Sequence, residues 1–415
     1  MNSAQRFDSV VAGAGPAGFA AALAAAREGA KTLLLEMHPY AGGAWTAGCM
    51  TLIFDCTPQR GIAREFRRRL ESRGGAAPWR SVNTVVVNPE LVKLVIDEML
   101  AEAGVTVRYH TMLQDACVED DRITEVVTAS KSGRETWSAR VFVDASGDGD
   151  LGAFAGCGYD TGRPADGRMQ PASMNALIGG WPDDLGDGEE LAEAILAELD
   201  RREFGLSYRK TRLFAIPGVP GLRRCMWTHL YGLDPTDARS LTAAAVEGRR
   251  QIHAAVECLR SSGDPRFEKL HVASTGPALA VREGRRIHGE YLLTIDDLRA
   301  GRTFDDGVLE VAFNVDIHHV DPAEGRHLEI EKVPRYQVPY RSLVARDVSN
   351  LLMAGRCISG DFRAHGSYRT TSDCAAMGEV AGRAAAIASS RGIAAAQVDA
   401  AAVTLLSRSG PATGS

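Results

Sequence analysis

The sequence predicts an α/β protein: a parallel sheet wound by helices and shared between the two ends of the chain, with an α+β unit inserted between them. Three observations carry this. Gly13-x-Gly15-x-x-Gly18 stands between a short apolar run at residues 10–12 and an alanine-rich helical stretch, Pro16–Arg27, and a second apolar run, Thr32–Leu35, ends at Glu36. A strand-like run at residues 141–143 enters the glycine and acid turn Asp144-Ala145-Ser146-Gly147-Asp148-Gly149-Asp150. Near the end, residues 351–354 read as a last buried strand, followed by Gly355-Arg356 and a long alanine-rich helix from Thr371 to about Ser389. Strand, glycine turn and helix in succession describe a Rossmann-like fold.

The first of these segments has a physical reason at each position. Gly13 makes a tight turn, Gly15 lets backbone approach a pyrophosphate, and Gly18 lets the helix lie close to the strand. Pro16 suits the first helical turn, where an amide hydrogen would lack an intrahelical partner. With Ala14 and Ala17 these residues aim free amides and the positive end of a helix dipole at phosphate groups. Glu36, with Met37 after it, stands at the distance of a ribose-binding acid, and an acid there disfavours a 2′-phosphate, hence NADP. The segment predicts a dinucleotide site.

Length and composition narrow the class. The 415 residues suffice for two or three domain-sized units, and 45% apolar with 24% charged residues is ordinary for a globular protein. A net charge of −6 with scattered basic residues gives no sign of nucleic-acid binding. No secretory signal and no apolar stretch long enough for a bilayer is visible, so the expectation is a cytoplasmic protein without a membrane partner. The eight cysteines are scattered without a C-x-x-C, which predicts neither a disulfide framework nor an iron–sulfur cluster. Alanine and arginine richness matches a high-GC bacterial genome.

After Glu36 comes a loop holding Gly42-Gly43-Ala44-Trp45-Thr46 and then Cys49. Here the sequence resembles FAD enzymes of the glutathione-reductase structural class. The resemblance implies that the loop runs from ribose toward the isoalloxazine ring, so that these five residues meet the cofactor. Cys49 and Cys56 are too widely spaced for the redox pair of the disulfide reductases, and Cys49 reads as a packed or flavin-adjacent thiol. Helices are expected at residues 61–73 and 88–103, and a strand at 105–109. Three alternating runs follow at residues 113–118, 123–129 and 135–138. They look like the three-stranded crossover of such FAD domains, with Leu113 at the family's backbone contact to adenine.

The turn Ala145-Ser146-Gly147-Asp148 resembles more narrowly the second FAD motif of a family of FAD-dependent oxidoreductases that includes xanthan-lyase-like proteins. Helix capping is the plainer role for Asp148 and Asp150. The same family is matched by Arg282-Glu283-Gly284-Arg285-Arg286-Ile287-x-Gly289, where relatives usually have serine for Gly284. Its charges read either as a salt-bridged strand or as Arg285 or Arg282 pointing at an anionic substrate. Residues 338–344, 350–359, 364–369 and 374–382 also match. There the resemblance implies that Gly355 and Arg356 meet pyrophosphate and ribityl chain, and that the helix opening at Thr371 aims at flavin N1 and the C2 carbonyl. Asp361 and Arg363 depart from the small apolar stretch usual in relatives. His318 and His319 are adjacent, and neighbours on a strand point to opposite faces, so no metal site is expected with Asp321.

The expected organisation is an FAD-binding unit at residues 1–157 and 341–392, a substrate-covering unit at 158–276, returning strands at 277–340, and a helix and tail at 393–415. The expected activity is that of an FAD-dependent dehydrogenase or oxidase moving a hydride from a small polar molecule, anionic or neutral, to flavin N5, with oxygen or an external acceptor taking the electrons. His365 is the candidate proton acceptor, or else a hydrogen-bonded loop histidine. Arg369 would hold a carboxylate or the flavin carbonyl. One dinucleotide fingerprint, where an NAD(P)H reductase of this class shows two, favours reduction by the organic substrate. The alternatives are an NAD(P)H-dependent monooxygenase, whose G-D-A-A-H-like segment is missing, and a scaffold that binds without catalysis. Substrate, acceptor and oligomeric state are not written in these motifs.

Overall fold

The computed structural model describes residues 6–56, 60–182, 189–324 and 328–406; the last nine residues of the expected tail lie outside it. The first strand, β1 (Arg6–Ala12), leads into the helix α1 (Pro16–Arg27), and β2 (Thr32–Leu35) follows, with every residue of β2 buried. Strands β1 and β2 pair in parallel, Val10 opposite Leu33 and Ala12 opposite Leu35. Thr106–Arg108 adds to the far side of β2, and the last part of Gly133–Asp144 pairs in parallel with the other side of β1. Leu351–Met353 then pairs in parallel with that same strand and completes the parallel layer from the far end of the chain. Near-continuous apolar runs fit a sheet covered on both faces.

The crossover is present with one change. Met112–Glu119, Arg122–Ser130 and Gly133–Asp144 form an antiparallel meander. Its third strand does not stop at Ser138. It continues through Val141 to Val143 into the parallel layer, so residues 135–138 and 141–143 are one twelve-residue strand. Arg140, between the two runs, stays extended: its backbone carbonyl accepts from Asn350 while its guanidinium reaches the Ser389 carbonyl at 3.0 Å.

Helix α1 lies along the long helix Thr371–Arg391. A Cβ on Gly378 would sit 2.0 Å from the Ala17 carbonyl oxygen, and one on Gly382 would sit 2.1 Å from that of Ala21. The two helices therefore touch backbone to backbone and run in the same direction. Both begin at the edge of the sheet where β1, Gly133–Asp144 and Leu351–Met353 end.

A second apolar core is built from residues between Met174 and Leu270, including Trp181, Trp227, Ile252 and Phe267. Four antiparallel strands form its sheet: Leu213–Ala215, Arg223–Met226, Asn175–Gly179 and His271–Thr275. Helices Glu189–Arg201 and Ala238–Arg260 complete it. The charged segment at residues 282–289, read as one strand, is extended as a strand only at Arg286–Ile287; the rest is held by side-chain bonds described below.

Candidate active site

A cradle of bare backbone opens where α1 starts. Gly13 has φ +88°, and a Cβ there would meet the Ala145 carbonyl oxygen at 2.6 Å, so the first glycine is required by the turn at residues 144–150. Gly43, φ +47°, lies so close to Gly15 that a Cβ would be 2.7 Å from the Gly15 Cα, while a Cβ on Gly15 would meet the Gly43 Cα at an ordinary 3.9 Å. The first intrahelical bond of α1 is Phe19 N to Gly15 O at 3.0 Å, which leaves the Ala17 and Gly18 amides free of helical partners. Glu36 is buried, and its two oxygens accept from the amides of Ala14 (2.8 Å) and His38 (2.9 Å). Thr111 N donates to the Glu36 carbonyl at 2.9 Å, which brings the half-buried Leu113 to the same edge. Met37 beside the acid is 57% exposed.

The acid turn closes the other side. Buried Asp144 accepts from Ser146 N (3.0 Å), Ser146 Oγ (2.6 Å) and Gly152 N (2.8 Å), while burial raises its affinity for a proton. Asp148 and Asp150 do not cap the helix; Ser146 Oγ does, accepting from Asp150 N at 2.9 Å. Asp148 instead takes a hydrogen bond from Arg356 at 2.5 Å, and Arg356 Nε donates to Gly147 O at 2.7 Å. Burial draws Asp148 up to about 6 while the guanidinium opposes the rise, so the pair remains ionised at neutral pH. Arg285 donates to Asp150 at 2.9 Å and to the Asp148 carbonyl at 3.1 Å, which is the salt-bridged role of the two weighed for it. Arg286 and Glu283 form a buried pair at 2.6 Å.

Further along the same edge, polar atoms are buried without hydrogen-bond partners. His365 sits in the short helix Phe362–Tyr368 rather than in a loop; it is fully buried, and neither ring nitrogen is bonded. Burial, reinforced by the nearby guanidinium groups of Arg369, Arg286 and Arg356, holds its imidazole well below the usual histidine range and hence neutral. Arg369 donates to the Asp316 carbonyl at 2.8 Å and leaves Nε unbonded; Gln170 leaves Nε2 unbonded. Asp361 and Arg363 are structural: Asp361 caps this helix through Ala364 N at 2.7 Å, and Arg363 pairs with Glu329 and Glu331 at 2.6 Å each.

The long helix that opens at Thr371 makes its first bond from Cys374 N to Thr370 O at 2.8 Å, leaving its first amides available. Its first turn carries Asp373, buried against Asp55. Burial and that second carboxyl hold Asp373 well above the usual carboxylate range, so a neutral acid there does not cancel the helix dipole. Trp45 donates from Nε1 to Thr371 Oγ1 at 2.8 Å and stacks on Phe66 at 4.9 Å, so its ring belongs to the core; Thr46 Oγ1 donates to Ala41 O at 2.8 Å, and Ala44 O accepts from Met50 N. Cys49 is buried, with its thiol pushed up to about 11 by burial.

Residues 8–406 match the model of the family described as FAD dependent oxidoreductase. The chain belongs to the FAD-dependent oxidoreductase family. Among curated proteins it is similar to the thiamine thiazole synthase of Methanococcus maripaludis strain C5, with 31% identity over 150 residues, 34% of this chain and 56% of the synthase. It is also similar to the thiamine thiazole synthase of Aeropyrum pernix, with 33% identity over 125 residues, 29% of this chain and 43% of the synthase. The chain thus spans about half the length of the curated relatives it matches. Among solved structures, p-nitrophenol 4-monooxygenase from Pseudomonas putida DLL-E4 shares the fold, with a TM-score of 0.53 and 12% identity, over 95% of this chain and 83% of that one.

The cofactor of this family is FAD, and the residues present fit it. The glycine cradle, the free amides of α1 and the buried Glu36 are arranged for a pyrophosphate and a ribose. The second helix N-terminus and unbonded His365 lie on the same edge. No group of three metal-ligating side chains occurs among the described residues. His318 is buried while His319 faces Glu324 at 3.4 Å, so the adjacent histidines part as the strand requires. Sequence reasoning missed His229, whose Nε2 lies 2.9 Å from His318 Nδ1, together with Arg224, Gln170 and the Asp55–Asp373 pair. Each joins the site through contacts 49 or more positions away in the chain, and none stands in a motif.

Proposed function

We propose that this FAD-dependent oxidoreductase is a dehydrogenase or oxidase acting on a small polar organic molecule. The observation that carries the reading is the set of buried, unbonded polar atoms on His365, Arg369 and Gln170 beside the N-terminus of the long helix. A buried polar atom without a partner costs about 1–3 kcal/mol, so three residues left so in one place fit a surface made for a ligand. FAD, held by the glycine cradle, Glu36 and the two helix N-termini, would supply the two-electron chemistry, with N5 as the acceptor of the substrate's hydride.

The protein's share is to bind, orient and move a proton. His365 is neutral in its buried setting, with a ring nitrogen free to accept the proton of a substrate hydroxyl or amine as the adjacent C–H is broken; burial and the guanidinium groups oppose the charge it gains, and an anionic substrate beside it offsets them. Arg369 fixes the substrate through a carboxylate. The unit around the second apolar core covers the site and excludes water. The single dinucleotide fingerprint supports reduction by the organic substrate, with oxygen or an external acceptor completing the cycle.

The test is anaerobic bleaching of the flavin by a panel of small acids, alcohols, amines and sugars, without nicotinamide. Bleaching by one class, reversed by oxygen or a dye acceptor, is the expected result. NADH-dependent oxygen uptake with a hydroxylated product, and no bleaching by the panel, would replace this reading with a monooxygenase.

A further inference from the structure

Three arginines near the cofactor edge are paired with carboxylates: buried Arg286 with Glu283 at 2.6 Å, and half-buried Arg356 with Asp148 at 2.5 Å and Arg285 with Asp150 at 2.9 Å. Three others break the pattern. Arg224 is 1% exposed and donates to the neutral Asn175 Oδ1 (2.7 Å) and Met50 Sδ (3.0 Å), with Nε unbonded. Arg282 is 8% exposed and donates to Pro171 O (2.5 Å) and Met226 Sδ (3.2 Å). Arg369 donates to Asp316 O (2.8 Å) and Gln170 Oε1 (3.4 Å). Among the described residues none of the three has an ion pair.

The fold brings them to one place. Arg224 and Met226 share a face of the strand Arg223–Met226, and Asn175 on the neighbouring strand faces Met226 in register. Asn175 Nδ2 reaches Gly48 O at 2.7 Å, which fastens that sheet to the loop after Gly42-Gly43. Residue 173 and residue 280 bond each other's backbone at 2.8 and 3.1 Å, so Arg282 emerges beside Gln170 and Pro171. The three guanidinium groups lie within electrostatic reach: Arg369 and Arg224 both disfavour the charge on Arg282, which burial brings down to about 10. Asp316, half-buried with Oδ1 free of hydrogen bonds, is the carboxylate that faces Arg282 and Arg369. Lys210 also faces this space, and His318, held neutral by burial, borders it with His229 bonded to its ring. Buried Arg224 and Arg282 and half-buried Arg369 stand with Lys210 against Asp316 and, on the Arg369 side, Glu283, which is already paired with Arg286. Positive charge is in excess, and an uncompensated buried charge is costly without a partner.

We infer that the cleft between the second core and the FAD-binding sheet takes a small organic dianion, two carboxylates or a carboxylate and a phosphate-type group. One anionic group meets Arg282 and Arg369, and the other meets Arg224. This rests on the reading of the cleft as the substrate site, and it adds the substrate's charge. The oxidisable carbon lies between the two acid groups, beside His365.

The test is binding to the oxidised, FAD-loaded protein, followed by calorimetry and by perturbation of the visible flavin spectrum. The ligands are succinate, 3-phosphonopropionate, propionate and butane-1,4-diol. Succinate or the phosphonate should bind at least about tenfold more tightly than propionate, and the diol not measurably; which dianion leads decides between the two acid types. Arg282→Met and Arg224→Met should each weaken the dianion about 10- to 100-fold, and Arg282→Lys, which keeps the charge, should recover most of it. Without ligand, both methionine variants should melt no lower than the parent, since each removes a buried unpaired cation. Equal affinity for succinate and propionate, or dianion binding untouched by Arg282→Met, would overturn the inference. Because binding is read on oxidised protein, tight dianion binding with no bleaching by any acid would sink the oxidase reading and leave the anion site standing. Bleaching by a neutral alcohol with no dianion binding would do the reverse.

Discussion

His365 is held in place by its neighbours and left alone by its bonds. Its ring meets Tyr368 edge to face at 5.5 Å, and Gly366 after it lies so near the strand Val315–His318 that a Cβ would be 3.1 Å from the Asp316 carbonyl. Packing therefore fixes the imidazole without spending either nitrogen. His365→Ala should slow anaerobic flavin reduction by about 10²- to 10⁴-fold while FAD content stays at the parent level. A parent-like reduction rate in stopped flow would strip the residue of its role. Glu36 makes the opposite case, a side chain whose bonds define it. Glu36→Ala leaves the buried amide of Ala14 and the half-buried amide of His38 without acceptors and removes the acid proposed to hold the ribose. The FAD dissociation constant should rise by about 10- to 100-fold, as loss of hydrogen bonds to a charged group implies. Measured by flavin fluorescence on release, an unchanged constant would place the ribose elsewhere.

At the scale of elements, the site depends on two helices that start side by side. Gly378 and Gly382 of Thr371–Arg391 press on the carbonyls of Ala17 and Ala21, closer than any Cβ allows. Gly378→Ala should force the helices apart and cost about 1–3 kcal/mol or more, seen as a lowered melting temperature by circular dichroism together with weaker FAD retention. Gly205→Ala, at a position with nothing within 4 Å, is the control that should leave both unchanged. This also explains how much could be read beforehand. Helix α1 was legible to the residue because Pro16 marks its start and its apolar flanks are strands. The acid turn and the strand ahead of Gly355 were legible because in each a short apolar run ends in glycine. The 135–144 strand was split in reading because charged Arg140 interrupts the apolar run, whereas its polar bonds run to a partner more than two hundred positions away. The segment at 282–289 reads as a strand by composition, yet Arg286 and Glu283 satisfy themselves on Gly360, Gly162 and Gln170, so no ladder is needed. His229 and Arg224 carry no local signal at all, since their chemistry is created by the packing of one unit on another.

For the whole molecule, the decisive feature is a polar layer between two apolar cores, and its cost should appear in the pH dependence of stability. His318 is nearly fully buried, bonded to His229, and faces Arg282, Arg369 and Lys210; burial and these cations hold it well below the ordinary histidine value. A group whose folded-state proton affinity is depressed contributes stability that is present above its unfolded value, near 6.5, and lost as pH falls below it. In that window the unfolded chain binds a proton that the folded chain refuses. The slope attributable to one such group approaches about 1.4 kcal/mol per pH unit. The buried carboxyls work against it: Asp148, drawn up to about 6, and Asp373, held well above the usual carboxylate range, let the folded chain keep protons that the unfolded chain releases. The net profile is a balance, and a difference between variants isolates one side of it. His318→Asn should therefore flatten the loss of stability between pH 7 and pH 5 relative to the parent, in denaturant titrations at each pH. A dianion in the cleft should do the same to the parent protein, because it screens the arginines that keep His318 uncharged. If the two proteins lose stability in parallel across that range, the histidine pair is not part of the charged layer, and the cleft is held together by something other than the cations assigned to it.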